Sequence, residues 1–308
     1  MNTPVAFVVF NRPDCTVRTL RAIRDARPDS LYVIADGPRP GNSKDLTSCA
    51  KVREIVAAGV DWPCHVEYNY SDHNLGCAER VAGGLTWAFS RSERLIVVED
   101  DCLPNPTFFP FCEELLIRYA DDTRIGQICG GPFITNTLLR PTSYIFSRYG
   151  PIWGWASWAR AWKHYDIKIG SWSRLKESGD LKSVIPNAIE RRLRRGLYNK
   201  LATGKASTWD YQWGYAKLVN SMLSVIPTVS MIENIGFGEE ATHTSSSQSF
   251  LQRHAVPFPL SHPETVIPDA SFDELFSIAT CGHRRKKILA RSLHWLNRAL
   301  AGKDLAHA

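Results

Sequence analysis

Three consecutive carboxylates, Glu99, Asp100 and Asp101, end the apolar run Leu95 to Val98. Acids packed this closely repel one another unless something cationic sits among them, and a hard divalent cation with oxygen ligands is the simplest partner. The plainer alternative is that acids gather before helices because a helix N-terminus favours negative charge. Asn105 is the better N-cap, however, with Pro106 at the first helical position. The acids lie too far upstream to be needed for capping.

Other reactive residues recur at comparable places. Asp36 follows the apolar run Leu31 to Ala35, although Asp36-Gly37 alone reads equally well as a turn. In Asn74-Leu-Gly-Cys-Ala-Glu-Arg80, Gly76 opens a helix and Arg80 stands one turn in, a pattern that suits an anion or simply a helix start. Asp210 lies at the mouth of another helix among Trp209, Tyr211 and Trp213. It is either an N-cap or a carboxylate held in a partly dry pocket. His243 is isolated in a Gly-bearing segment, where a polar loop residue is the ordinary reading.

Positioning these residues requires a sheet. Val5 to Phe10, Leu31 to Ala35 and Leu95 to Val98 are apolar or β-branched runs, and Cys64 to Tyr70 reads as a further strand. Helical patterns separate them, with Val17, Leu20 and Ile23 in the first, residues 46–58 in the second, and Val81, Leu85, Ala88 and Phe89 in the third. Runs without polar alternation predict strands buried on both faces. Strand and helix alternating at roughly 30-residue spacing predict a parallel sheet with right-handed crossovers. Ligands of such sheets bind outside the strands' carboxyl ends, where the acids stand.

After Ile125 to Cys129 the pattern changes. Residues 143–165 are dense in aromatics, and Trp155, Trp158 and Trp162 at i, i+3 and i+7 predict one helical face turned to the core. Trp153 on a loop is the better platform for a sugar ring. Leu223 to Val229 reads as a strand. Glu190-Arg-Arg-Leu-Arg-Arg195 reads as a solvated helix face. From about residue 262 a Pro-containing linker leads to a cationic segment, 283–300. It reads as an amphipathic helix that lies on an anionic membrane or docks on its own domain.

The 308 residues allow one large α/β domain or two small ones. Lys and Arg exceed Asp and Glu by 37 to 31, a mild excess that fits an anionic substrate or surface. The basic runs lack interleaved aromatics, so no nucleic-acid partner is expected. The eight Cys show no CxxC spacing and read as reduced residues, several in the core. No export signal or membrane span is apparent, which points to a cytoplasmic protein, peripheral to the inner membrane if the basic helix docks there.

The order of these features resembles the nucleotide-sugar domain of a GT-A glycosyltransferase, and more closely the N-acetylglucosaminyltransferase I family and its bacterial relatives. There too Glu-Asp-Asp follows a Val-rich strand and precedes a Pro-Phe-Phe helix. The segments Trp153-Gly-Trp155 and Trp209-Asp-x-x-Trp213, and a Gly-bearing loop reaching a His, also look similar. The likeness spans residues 4 to about 245. It implies an α/β GT-A, Rossmann-like fold with a mostly parallel central sheet. Residues 1–130 would form the nucleotide-sugar half, 131–262 an aromatic-rich acceptor and catalytic-base half, and 263–308 the linker and basic helix. It also implies roles. Asp36 would pair with the base edge of uracil, and Asn11 and Arg12 would border the nucleotide. Arg80 would approach the ribose or diphosphate, Asp100 the ribose or sugar side, and Glu99 the donor sugar. Asp101 would bind Mn²⁺, or Mg²⁺, bridging the diphosphate. Asp210 would be the general base of an inverting transfer, and His243 would border the diphosphate or metal.

The implied activity is transfer of a sugar from a nucleotide-diphospho-sugar, UDP-linked and with UDP-GlcNAc as one candidate, to a hydroxyl of a saccharide or lipid-linked acceptor. The setting it implies is bacterial surface polysaccharide or lipopolysaccharide synthesis. Two other readings compete. A sugar-phosphate nucleotidyltransferase would carry a Gly-rich basic loop after the first strand, where this chain has Asn11-Arg-Pro-Asp14. A non-catalytic carbohydrate-binding scaffold would not need Asp36, the acidic triad and Asp210 together.

Overall fold

The computed structural model describes residues 1–135, 138–236 and 252–280. The chain divides into two compact units, Met1–Ile167 with Ser207–Asp269, and Lys168–Ala206 with Ala270–Ala308. Residues 168–206 leave the larger unit and make a core of their own.

The larger unit begins as the apolar runs predict, with β1 (Val5–Val9), α1 (Pro13–Ala26), β2 (Ser30–Ala35), α2 (Ser43–Gly59), β3 (His65–Tyr70), α3 (Gly76–Phe89) and β4 (Arg94–Glu99). A short β5 (Cys102–Pro104), α4 (Phe108–Arg118), β6 (Ile125–Cys129), β7 (Tyr144–Ser147), β8 (Trp155–Trp158) and α5 (Ala159–Trp162) follow. In the smaller unit the described helices are α6 (Trp172–Ser178), α7 (Leu181–Val184), α8 (Ala188–Ala202) and a helix at 270–280. The chain returns to the larger unit as α9 (Asp210–Val219), β9 (Leu223–Pro227) and β10 (Ile232–Asn234).

One eight-stranded sheet runs β3-β2-β1-β4-β8-β6-β9-β7. β3, β2, β1 and β4 are mutually parallel; β8 is antiparallel to both β4 and β6; β9 is parallel to β6; and β7 is antiparallel to β9. The sheet is therefore mostly parallel. Both faces are buried, and alternation along the strands serves both cores. Val5, Phe7, Val9, Ile96 and Val98 pack with the Phe residues of α4. Ala6, Val8, Leu95 and Val97 pack with Val81 and Leu85 of α3 and with the tryptophans. A strand that feeds two cores needs apolar residues at every position, hence the unbroken runs.

Two local expectations change. Trp155 and Trp158 lie on a strand, not on a helical face, so they point to opposite sides of the sheet and join different cores. They are core, as predicted, but strand pairing on both sides of β8 overrides the helical spacing. Asn105 does not cap α4 as an N-cap. Its side chain accepts bonds from the Thr107 amide and hydroxyl, at 3.0 and 2.9 Å, and the helix starts at Phe108. The Cys reading holds among the described residues, where seven thiols are free and four of them buried. No described helix is long and apolar enough to cross a membrane. The basic segment 283–300 lies outside the described residues.

Lys217 of α9 is fully buried. Its ammonium donates to Gln127 Oε1 and to Ser224 Oγ at 2.7 Å. Gln127 in turn donates to the Pro151 carbonyl at 2.7 Å. Burial, with no carboxylate bonded to it, lowers the Lys217 pKa to about 8. The unfolded chain keeps this proton to about pH 10.4. Between these values the unfolded state binds more protons, so this group's contribution to stability rises with pH. Relative to Lys217→Met, wild type should gain up to about 1.4 kcal/mol per pH unit between pH 8 and 10. Urea unfolding of both proteins at the two pH values measures this, and a constant difference would show an unshifted lysine.

The smaller unit is held by buried Trp172, Leu181, Ile185, Tyr198, Leu201 and Phe272. Glu190 is not part of a solvated face. It is 4 % exposed and accepts from Arg194 Nε and Ser277 Oγ, each at 2.7 Å. Arg192 and Arg195 are exposed, as the charge run predicts.

Candidate active site

Chain order reverses between β1 and β4, since β1 continues to β2 on one side and meets β4 on the other. The crevice outside the carboxyl ends of those strands is the place for a ligand in a doubly wound sheet. Phe10, Asn11 and Arg12 stand at the end of β1, and Glu99, Asp100 and Asp101 at the end of β4.

The cation among the acids is supplied in part by the chain. Arg12 Nη1 lies 2.7 Å from Asp101 Oδ2 and 3.3 Å from Asp100 Oδ1. Asp100 is 4 % exposed. Its carboxylate also accepts the Phe10 amide at 3.2 Å, its amide donates to the Val8 carbonyl at 2.9 Å, and its carbonyl accepts the Thr19 hydroxyl at 2.8 Å. Asp100 thus clasps the ends of β1 and β4 together, and its carboxylate is turned inward. Burial first, then Asp101, raises its pKa to about 7 against the pull of Arg12. Glu99 is pushed well above the usual carboxylate range by burial, then by Asp101, Asp100 and Asp210. Asp101 stays partly open, with its side chain 17 % exposed. The end of β10 comes close to it, because the Ile235 amide donates to the Asp101 carbonyl at 2.7 Å. A Cβ on Gly236 would fall 2.5 Å from Asp101 Oδ2, so a side chain there would have to displace the Asp101 side chain.

Asp210 reaches the same crevice from far along the chain, and the aromatic layer explains how. β8 pairs with β4 so that Trp155 is level with Val97, two residues from Glu99. Trp209 stacks on Trp155 with ring centroids 5.8 Å apart, and Trp213 packs on it at 5.9 Å. These contacts pin the first turn of α9 beside the end of β4. Asp210 is then close enough for its charge to raise Glu99, the Cys77 thiol and the Tyr165 hydroxyl. Asp210 Oδ1 accepts the Thr208 hydroxyl. The Tyr165 hydroxyl is buried without a hydrogen-bond partner. Its ring stacks on Trp162 at 4.3 Å. Sequence alone did not single out Thr208, Cys77 or Tyr165.

Asp36 lies at the end of β2 but does not face outward. It is 5 % exposed and accepts four donors, from Gly37 N and Leu75 N, each at 2.9 Å, and Asn74 Nδ2 and Gly76 N, each at 3.0 Å. The carboxylate caps the entry to α3, and no side-chain acceptor is left over for a base edge. Gly76 adopts φ +80° there, a conformation that glycine takes without strain. Arg80 is 7 % exposed and donates to the carbonyl and side chain of Asn69. Burial lowers its pKa, and its Nε has no partner. Both residues hold loops at the strand ends, a role the spacing could not distinguish from ligand contact.

Arg12 pairs with the acids at the end of β4, and Asn11 bonds a residue that the spacing did not suggest. Asp45 of α2 is 1 % exposed and accepts Asn11 Nδ2 at 2.8 Å and Arg39 Nη2 at 2.8 Å. The Arg39 guanidinium also bonds it through Nε, and half of that side chain stays exposed. Arg39 first, with help from Asn11, lowers the Asp45 pKa to about 2. A depressed carboxylate stabilises the fold above the unfolded pKa and loses that contribution as pH falls through the folded one. Asp45→Asn should therefore cost about 2 kcal/mol at pH 7, a gap that closes between pH 4 and pH 2. Chemical denaturation across that range checks it. A gap independent of pH would mean that packing, not charge, holds Asp45.

Glu99, Asp101 and Asp210 are oxygen donors, the ligand type that a hard divalent cation takes. Among the described residues, however, no group of three His, Cys, Asp or Glu side chains could hold a metal ion. His243 lies outside the described residues, as do Glu239 and Glu240.

No protein-family model matches this chain, and no curated protein does. Among solved structures it is similar to UDP-glucose pyrophosphorylase complexed with UDP-glucose, at TM-score 0.39 and 8 % identity over 76 % of this chain and 94 % of that one. It is also similar to the mannosyltransferase PcManGT from Pyrobaculum calidifontis in complex with GDP-Man and Mn2+, at TM-score 0.34 and 11 % identity over 71 % and 70 %. A third is a putative glucose-1-phosphate thymidylyltransferase from Bacillus anthracis, at TM-score 0.34 and 10 % identity over 53 % and 74 %. Likenesses this distant assign no chemistry; the crevice has to be read from its own residues.

Proposed function

We propose that this chain is a metal-dependent glycosyltransferase that takes a sugar from a nucleotide-diphospho-sugar, UDP-linked, and passes it with inversion to an acceptor hydroxyl. The observation that carries this reading is the convergence of Asp210 with the Glu99-Asp100-Asp101 end of β4, at the strand-order reversal. Such a transfer needs two functions on opposite sides of the anomeric carbon. One accepts the acceptor's proton, and the other carries the charge that gathers on the leaving diphosphate.

Asp210 takes the proton. The Thr208 hydroxyl donates to one of its oxygens and so orients the other. Tyr165 keeps its proton, since burial raises its pKa, and its unpartnered hydroxyl is placed to bond a ligand beside Asp210. On the leaving-group side Asp101 with Glu99 would hold a divalent cation, which supplies Lewis-acid stabilisation of the diphosphate when bound. Asn11, Arg12 and half-exposed Arg39 border the nucleotide. Asp36, Asp100 and Arg80 fix the strand ends around it.

A thermal-shift panel of nucleotide sugars with and without Mn²⁺ tests this without an acceptor, because a ligand of the native state raises stability by mass action. A shift with one UDP-sugar that needs Mn²⁺ and disappears in Asp101→Ala is the expected result. Silence from every nucleotide sugar would refute the transferase reading. A shift without turnover on any saccharide or lipid-linked acceptor would favour a carbohydrate-binding scaffold.

A further inference from the structure

We propose that the smaller unit docks on an anionic lipid surface. The charge of this chain is divided unevenly. In Lys168–Ala206 with Ala270–Ala308, Lys and Arg number 17 against 6 Asp and Glu, whereas in the rest they number 20 against 25. A modest net charge of +6 thus conceals an acidic catalytic unit and a strongly basic one. Arg174, Lys176, Lys182, Arg192, Arg195, Lys200 and Lys205 are all exposed, and none of them forms an ion pair among the described residues. Arg192 and Arg195 stand one turn apart on α8 and present adjacent charges.

Charge alone would suit any polyanion. The second observation selects lipid. On the helix at 270–280, Leu275 is 54 % exposed and Ile278 43 % exposed, one turn apart. Exposed aliphatic side chains together with abundant cations are the composition of a surface that lies in a headgroup layer. A nucleic acid would instead be met by exposed aromatics that stack on bases, yet Trp172, Tyr198 and Phe272 of this unit are buried. The inference is independent of the transfer chemistry.

Sedimentation of the full chain with phosphatidylcholine vesicles, with and without phosphatidylglycerol, tests it. Binding is expected only with phosphatidylglycerol, and it should weaken as salt rises. Arg192→Gln with Arg195→Gln should weaken it about thirtyfold, the factor expected for two surface cations. Leu275→Ser with Ile278→Ser should also weaken vesicle binding, while leaving any binding to soluble dextran sulfate unchanged. All four side chains are exposed, so thermal unfolding should not change, and it serves as the folding control. Equal binding to neutral vesicles, wild-type vesicle affinity in the arginine variant, or capture of dextran sulfate without vesicle binding would each overturn the proposal.

Discussion

Asp210→Asn should lower sugar transfer by about 10²–10⁴-fold, the usual contribution of a positioned general base. Donor binding, read by thermal shift, should stay as in wild type. The substitution is nearly isosteric, and the asparagine carbonyl can still accept the Thr208 hydroxyl, so the first turn of α9 keeps its shape. What it removes is the ability to take a proton from the acceptor. The split between lost turnover and kept donor binding separates this role from a structural one, since a displaced helix would disturb Glu99 and the donor as well. Full turnover in Asp210→Asn would move the base to Glu233, or to Glu239 or Glu240, or point to a retaining displacement.

How far the sequence shows this site depends on the kind of signal. Apolar runs at β1, β2 and β4 mark strands buried on both faces, and the acids after β4 are visible because the run ends at a functional edge. Asp210 is visible only through its setting among aromatics. Its approach to Glu99 depends on β8 entering the sheet beside β4 and carrying Trp209 on Trp155. That pairing is antiparallel and joins residues about sixty apart, and the spacing of the tryptophans suggests a helix instead. Local periodicity cannot outvote a strand that gains two neighbours. Residues 168–206 are obscured for a similar reason. Of their helices only the charge run on α8 is legible, and nothing local tells which unit their apolar faces join. Arg12 is the other lesson. An acidic cluster implies a cation, but spacing does not reveal that the chain places its own guanidinium there.

The same limit governs Asp36. The family resemblance implies contact with the base edge of uracil, whereas the geometry gives its oxygens four donors from the chain. The two roles make opposite predictions for Asp36→Asn in the absence of nucleotide. An asparagine keeps one oxygen and turns an NH₂ toward the amides of Leu75 or Gly76, which are donors too. Buried amides would then lose a charged acceptor and face another donor. A charged hydrogen bond contributes about 1.5–3 kcal/mol, and each amide left unpaired costs about 1–3 kcal/mol more. The expected loss is about 3–5 kcal/mol, measured by urea unfolding of the ligand-free protein. Affinity for UDP should fall as well, because the entry to α3 loosens and Arg80 stands one turn inside it. A base-edge contact would behave differently, with stability intact and affinity alone reduced. Stability within about 0.5 kcal/mol of wild type, with UDP binding lost, would restore the nucleotide role and show that those donors find other partners.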